Sequence, residues 1–181
     1  MSKRAVIVVD IQQDYFPDGR WPLAGVEAAA DKAAAVIGAA RSAGDLVVHI
    51  RHEAPAEAPF FAVGTPGAEI HPKAAPLPGE PVITKTEINA FLKTPLDETL
   101  KQAGVTDVAI VGSMSHMCVD AASRAAADLG YKVTVIEDAC ATHDLELNGR
   151  KVPAADVHAA FMAALGFGYA EVKTADAFLG A

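Results

Sequence analysis

Short apolar runs alternate along this chain with longer stretches in which apolar residues recur every three or four positions. Val6-Ile7-Val8-Val9, Leu46 to Ile50, Val82-Ile83-Thr84, Asp107 to Val111, Lys132 to Ile136 and Tyr169 to Val172 have the length and β-branched content of strands. Between them, Val26, Ala29, Ala30, Ala33, Val36, Ile37 and Ala40 trace one helical face that Gly44 ends. A second helix starts at Thr94-Pro95, with Thr as cap and Pro at the first helical position, and closes at Gly104. Further helices are predicted over Met117 to Leu129, about Ala154 to Leu165, and Ala175 to Leu179. Strands alternating with helices predict an α/β fold, a doubly wound parallel sheet in a three-layer α-β-α arrangement. One segment breaks the alternation. Residues 51–80 have no period, and with Pro81 they hold seven of the eleven prolines and the adjacent Phe60 and Phe61. A loop this long is usually functional, and because it leaves the carboxyl end of the second strand it is expected to cover a crevice there or to reach a neighbouring subunit.

Three of the apolar runs end in reactive side chains. Val9 is followed by Asp10, Thr84 by Lys85, and the fourth strand by a loop that reaches Cys118. In a parallel sheet the carboxyl ends of the strands share one edge, so a carboxylate, an amine and a thiol would converge. Cys118 also falls at a predicted helix start, where unpaired N–H groups favour thiolate, and a lysine beside it would act in the same direction. These features predict a cysteine nucleophile with a depressed pKa. Cys140 has neither feature and is assigned to packing.

Composition narrows the class. A chain of 181 residues is expected to form one domain spanning 1–181, since this length buries roughly 70% of the extended chain's surface. No apolar run approaches a membrane span, and MSKRAVIVVD leads straight into a strand, so a cytoplasmic protein without a membrane partner is expected. Two cysteines without CxxC spacing give neither a disulfide framework nor a zinc site, and a net charge of −8 disfavours nucleic acid. A nucleotide-binding module finds no support, because neither GxxxxGK[ST] nor GxGxxG follows the first strand.

VVDIQQDYF near the start, GTPGAEIHP at 64–72, VITKTEINAF at 82–91 and VGSMSHMCVDAASRAA at 111–126 occur in an order that resembles the isochorismatase-like cysteine hydrolases, relatives of nicotinamidase and N-carbamoylsarcosine amidohydrolase. The resemblance implies six strands in the order 3-2-1-4-5-6 and a homo-oligomer. It also implies a catalytic set of Asp10, Lys85 and Cys118, with Asp10 taking the thiol proton and returning it to the leaving amine. Oxyanion donors are implied on the backbone N–H groups of Met114 and Cys118, next to a cis peptide between Ser113 and Met114. Met114-Ser115 departs from the Ala-Thr pair common in this motif, which affects pocket shape more than backbone chemistry.

Nicotinamidases of this superfamily hold a metal through an Asp-x-His pair. Here the second strand ends His49-Ile50-Arg51-His52-Glu53, with no aspartate two residues before either histidine, so no metal and no cofactor are expected, and His52 and His71 are the residual candidates. Phe16, Trp21, His52, Phe91 and His116, with Phe60 or Phe61, are the expected pocket residues, and Arg51 could receive a carboxylate. The resulting expectation is a cysteine-dependent amidohydrolase cleaving a small carboxamide, ureido or related C–N bond through a thioester. The alternative is isochorismatase-type vinyl-ether hydrolysis, with Asp10 as acid and no covalent step.

Overall fold

The computed structural model describes residues 3–180. Its core is a six-stranded parallel sheet of β1 (Arg4–Val9), β2 (Leu46–His52), β3 (Val82–Lys85), β4 (Asp107–Ser113), β5 (Lys132–Ala141) and β8 (Glu171–Lys173). The helices are α1 (Val26–Ala43), α2 (Leu96–Gln102), α3 (Cys118–Asp128), α4 (Ala154–Gly168) and α5 (Ala175–Leu179). The strand order is β3-β2-β1-β4-β5-β8, the order implied above when the six sheet strands alone are counted. The sequence reading missed one element, the antiparallel hairpin of β6 (Leu145–Leu147) and β7 (Arg150–Val152), which pair only with each other. Its strands are three residues long and half polar, too short to show a period.

Both faces of the sheet are buried, as continuous Val/Ile runs require. On β1, Val6 and Val8 join α1 and α5 in one apolar layer, while Ala5, Ile7 and Val9 join α2, α3 and α4 in the other. The fifth strand runs five residues further than its apolar run suggests. An irregularity between Ile110 and Gly112 moves β5 out of register, and pairing resumes at Gly112 with Cys140, which places Cys140 in the sheet as expected of a packing residue. The start of α2 lies one residue later than expected: Pro95 is the cap residue and Leu96 the first helical one, with Thr94 Oγ1 accepting from Leu96 N at 3.3 Å from outside the helix.

The long segment after β2 is packed in place. Phe61 and Ala62 are buried in the core, and Gln13 N and His71 N donate to Glu69 O and Ile11 O, tying the segment to the turn after β1. Its far end is clamped by Glu80, which takes a two-pronged hydrogen bond from Arg41 of α1 (2.7 and 2.8 Å) and lies 2.9 Å from the buried His49. The Arg41 guanidinium, opposed only partly by desolvation, pulls the Glu80 carboxyl down to about 2.

The chain reverses direction across the sheet between β1 and β4, the place where open α/β sheets form a crevice. Gly112 makes the approach there possible. It has φ +125°, and a side chain on it would run into the Val9 carbonyl, one residue before Asp10. Since the obstacle is backbone, relief would shift β1. Gly112→Ala is therefore expected to lower unfolding free energy in urea by about 2 kcal/mol or more, and an unchanged midpoint would contradict this account of the crevice.

Candidate active site

Asp10, Lys85 and Cys118 meet at this crevice although they lie on three separate segments. Asp10 follows β1 directly, with its N–H bonded to Ile50 O and a φ of +49°, in the left-handed region that few non-glycine residues occupy. Lys85 ends β3 and Cys118 is the first residue of α3. All three side chains are nearly sealed, at 0%, 2% and 5% exposure. The Lys85 ammonium lies 2.9 Å from Asp10 Oδ2 and 3.2 Å from Cys118 Sγ. Apart from this ion pair, neither Asp10 oxygen accepts a well-directed hydrogen bond from a described residue. A buried carboxylate with spare acceptor capacity beside a thiol is suited to receive its proton.

The electrostatics correct one expectation. Helix start and lysine were expected to depress the Cys118 pKa, yet burial pushes the thiol up, Asp10 pushes it further, and Lys85 only partly opposes them. Charge counting gives the reason. With the proton on sulfur, the sealed group of carboxylate, ammonium and thiol is neutral. Removing that proton to solvent would leave a net negative charge in a poorly solvated site. The proton is therefore favoured inside the group.

The peptide between Ser113 and Met114 is cis. Beyond it, Ser115 N donates to Ala141 O, and Met117 N and Val119 N both donate to Met114 O. Among the described residues neither Met114 N–H nor Cys118 N–H donates to a protein acceptor, which leaves two donors unengaged in the loop before α3 and at its first residue.

The expected pocket residues separate into two groups. His52 is inside the site, its Nδ1 2.9 Å from Lys85 Nζ, because β2 and β3 pair His52 with Lys85 in register. From there the rings of Phe61, Tyr15, Phe60 and Trp21 follow one another at 6.0, 4.5, 5.9 and 5.0 Å (His52 to Phe61, Phe61 to Tyr15, Tyr15 to Phe60, Phe60 to Trp21). His143 and then His116 continue the row. His116 is held by Thr142 Oγ1 at 2.6 Å. Phe16 and Phe91 do not belong to it. Phe16 stacks on His71 at 3.6 Å and lines a separate cavity of about 680 Å³ that none of the three reactive residues borders. Phe91 packs against Tyr131 at the side of the α2–α3 layer. Arg51 is already paired, 2.6 Å from Glu53 and 3.4 Å from Glu69.

Tyr15, which sequence reasoning passed over, ends the tight turn Gln13–Tyr15 after β1 and packs against Phe60 and Phe61. Burial, and then the charges of Asp10 and Cys118, hold its phenol well above the usual range. Two further residues were missed. Gln12 fixes the His52 backbone from both sides, accepting from His52 N and donating to His52 O, each at 2.8 Å. Asp14 seats the cover by accepting from Phe61 N at 2.6 Å.

Donor atoms of Asp10, His52 and Cys118 lie within 4.8 Å of one another, which is a spacing a metal ion could use. All three, however, surround the Lys85 ammonium. A metal would have to displace a buried cation that Asp10 and Cys118 hold above its ordinary pKa despite the burial.

Residues 4–165 match the isochorismatase domain family. The chain belongs to that family. It is 46% identical over 176 residues to the uncharacterized isochorismatase family protein YddQ of Bacillus subtilis, covering 97% of this chain and 98% of that protein. It is 32% identical over 152 residues to a maleamate amidohydrolase of Pseudomonas putida, covering 75% and 71% of the two chains. A crystal structure of an isochorismatase-type hydrolase from Oleispira antarctica superposes with a TM-score of 0.97 at 49% identity, over 99% of this chain and 97% of that one.

If Asp10 holds the Cys118 thiol in its protonated form, Asp10→Asn should be alkylated at Cys118 by iodoacetamide at pH 7 several-fold faster than the wild type. Mass mapping of the labelled peptide reads this directly. Slower labelling in the variant would show that the carboxylate promotes thiolate.

Proposed function

We propose that this isochorismatase-family protein is a cysteine-dependent amidohydrolase that cleaves a small carboxamide, ureido or related C–N bond through a thioester. The observation that carries the reading is the contact of Lys85 Nζ with both Asp10 and Cys118, together with two unengaged backbone N–H groups. The amidohydrolase activity named for the Pseudomonas putida relative supports it.

In this reading the Cys118 proton passes to Asp10 as sulfur attacks the amide carbon. The carbonyl electron pair moves onto oxygen, which the N–H groups of Met114 and Cys118 receive. Collapse expels the amine, which takes the proton from Asp10 and leaves an acyl group on sulfur. Water then gives a proton to Asp10 and attacks the thioester carbon, and departing sulfur recovers that proton. Lys85 stays charged throughout and offsets whichever of Asp10 or Cys118 is the anion. The row of aromatic rings that starts at His52 suits a small substrate.

The same reading treats residues 1–181 as one domain of a cytoplasmic homo-oligomer. The solvent side of α4 supports assembly. Ala155, Ala159, Ala160, Ala163 and Ala164 are exposed along it, and Phe167 is 95% exposed, whereas a helix apolar on all sides is usually covered. No helix among the described residues is long and apolar enough to cross a membrane.

Cys118→Ala should abolish ammonia release from an amide substrate, by about 10³-fold or more, with substrate binding retained. Intact-mass measurement of rapidly quenched wild type should show an acyl adduct on Cys118. The vinyl-ether alternative requires the opposite, with Asp10 indispensable and Cys118→Ala substantially active.

A further inference from the structure

Four acceptors crowd the Lys85 ammonium: Asp10 Oδ2 and His52 Nδ1 at 2.9 Å, Glu87 O at 3.1 Å and Cys118 Sγ at 3.2 Å. An ammonium has three protons and accepts none. The contacts to His52, Glu87 and Cys118 have hydrogen-bond geometry, one for each proton, while Asp10 faces the ammonium as its ion-pair partner. Contact with His52 is possible only if Nδ1 is bare, because a protonated Nδ1 would point one donor at another. The imidazole proton therefore resides on Nε2. Burial, and then the Lys85 charge, hold the His52 pKa below its usual value, so the ring stays neutral.

That leaves Nε2–H on the side of the ring away from Lys85. It makes no hydrogen bond to a described residue, and it is not among the polar atoms sealed from solvent. Gln12 holds the backbone of residue 52 at both N–H and C=O, and the Lys85 contact at Nδ1 orients the ring. The result is a neutral donor on a ring whose other nitrogen borders the Lys85 ammonium. Among the described residues around it, the cations are already matched. Arg51 is taken by Glu53 and Glu69, Lys93 by Glu87, and Lys85 by Asp10.

We propose that His52 selects the substrate: its Nε2–H receives an uncharged oxygen acceptor on the acyl portion, such as a second amide carbonyl, while its Nδ1 positions Lys85. This rests on the amidohydrolase reading and adds the substrate class, a small neutral amide with a second carbonyl oxygen. A carboxylate in the same place would lose its hydration with no unmatched cation to offset it, and is disfavoured.

Two isosteric variants separate the two roles of the ring. His52→Asn keeps an oxygen close to the Nδ1 position and loses the outer donor. His52→Gln offers an N–H close to the Nε2 position and loses the acceptor for Lys85. With malonamide and its half-acid, malonamic acid, as probes and ammonia release as readout, the wild type should prefer the diamide by about tenfold or more in kcat/KM. His52→Asn should raise the malonamide KM about tenfold with a smaller change in kcat, and His52→Gln should lower kcat about tenfold with a smaller change in KM. Preference for the half-acid, or the same loss of kcat in both variants at constant KM, would overturn the proposal. Nitrogen-15 NMR of the His52 ring in resting enzyme supplies a readout that needs no turnover. A proton on Nε2 with Nδ1 bare at about pH 7 is expected, and a proton on Nδ1 refutes the assignment even if the protein proves to be no amidase. If neither probe releases ammonia while Cys118 is never acylated, the amidohydrolase reading fails and the substrate assignment falls with it.

Discussion

The Lys85 ammonium is a fixed positive charge with almost no access to water, and the groups around it are arranged to keep it there. Asp10 neutralises it, the Cys118 sulfur and the His52 imidazole accept from it, and the carbonyl of Glu87 completes its surroundings. In a site this poorly solvated, the least costly arrangement is one with no net charge. Carboxylate, ammonium and thiol satisfy that condition, and so would carboxylic acid, ammonium and thiolate. The two states differ by one proton moved between neighbours. The proposed reaction uses that difference, since it needs a proton to move between two neighbours and no excess charge to be exchanged with solvent.

The backbone supplies what side chains alone could not. Gly112 lets β4 pass close to the end of β1, and Asp10 is turned inward by a left-handed conformation immediately beyond it. The pairing of His52 with Lys85 across β2 and β3 brings imidazole and ammonium together by register. Gln12 and Asp14, both buried, use their polar atoms to fasten the long segment after β2 against the first turn, which puts Phe61 over the site. Stability of the fold and geometry of the site share the same hydrogen bonds here.

Much of this was legible in the chain. The strands that carry reactive residues announced themselves as β-branched runs, and a parallel sheet brings their carboxyl ends together whatever the sequence separation, so Asp10, Lys85 and Cys118 could be assigned to one crevice. Orientation within short turns was not legible. Tyr15 and Phe16 are adjacent aromatic residues, and the single tight turn at Gln13–Tyr15 decides that Tyr15 joins the row of rings over the site while Phe16 stacks on His71. Neither periodicity nor composition records that choice. The direction of the Cys118 shift was misread for a related reason. Helix start and lysine are local features visible in sequence, whereas the burial that outweighs them comes from packing with residues of β1, α2 and β4 that lie elsewhere in the chain.

The central claim is that the resting site holds its proton on sulfur and keeps Lys85 charged. Infrared difference spectroscopy between wild type and Cys118→Ala at neutral pH tests this most directly, because only a thiol has an S–H stretching band. The account predicts a Cys118 S–H band in resting enzyme, persisting above about pH 8.5, where an ordinary exposed thiol would be half ionised. Absence of that band at pH 7 would mean that Cys118 is already a thiolate, and would contradict the account.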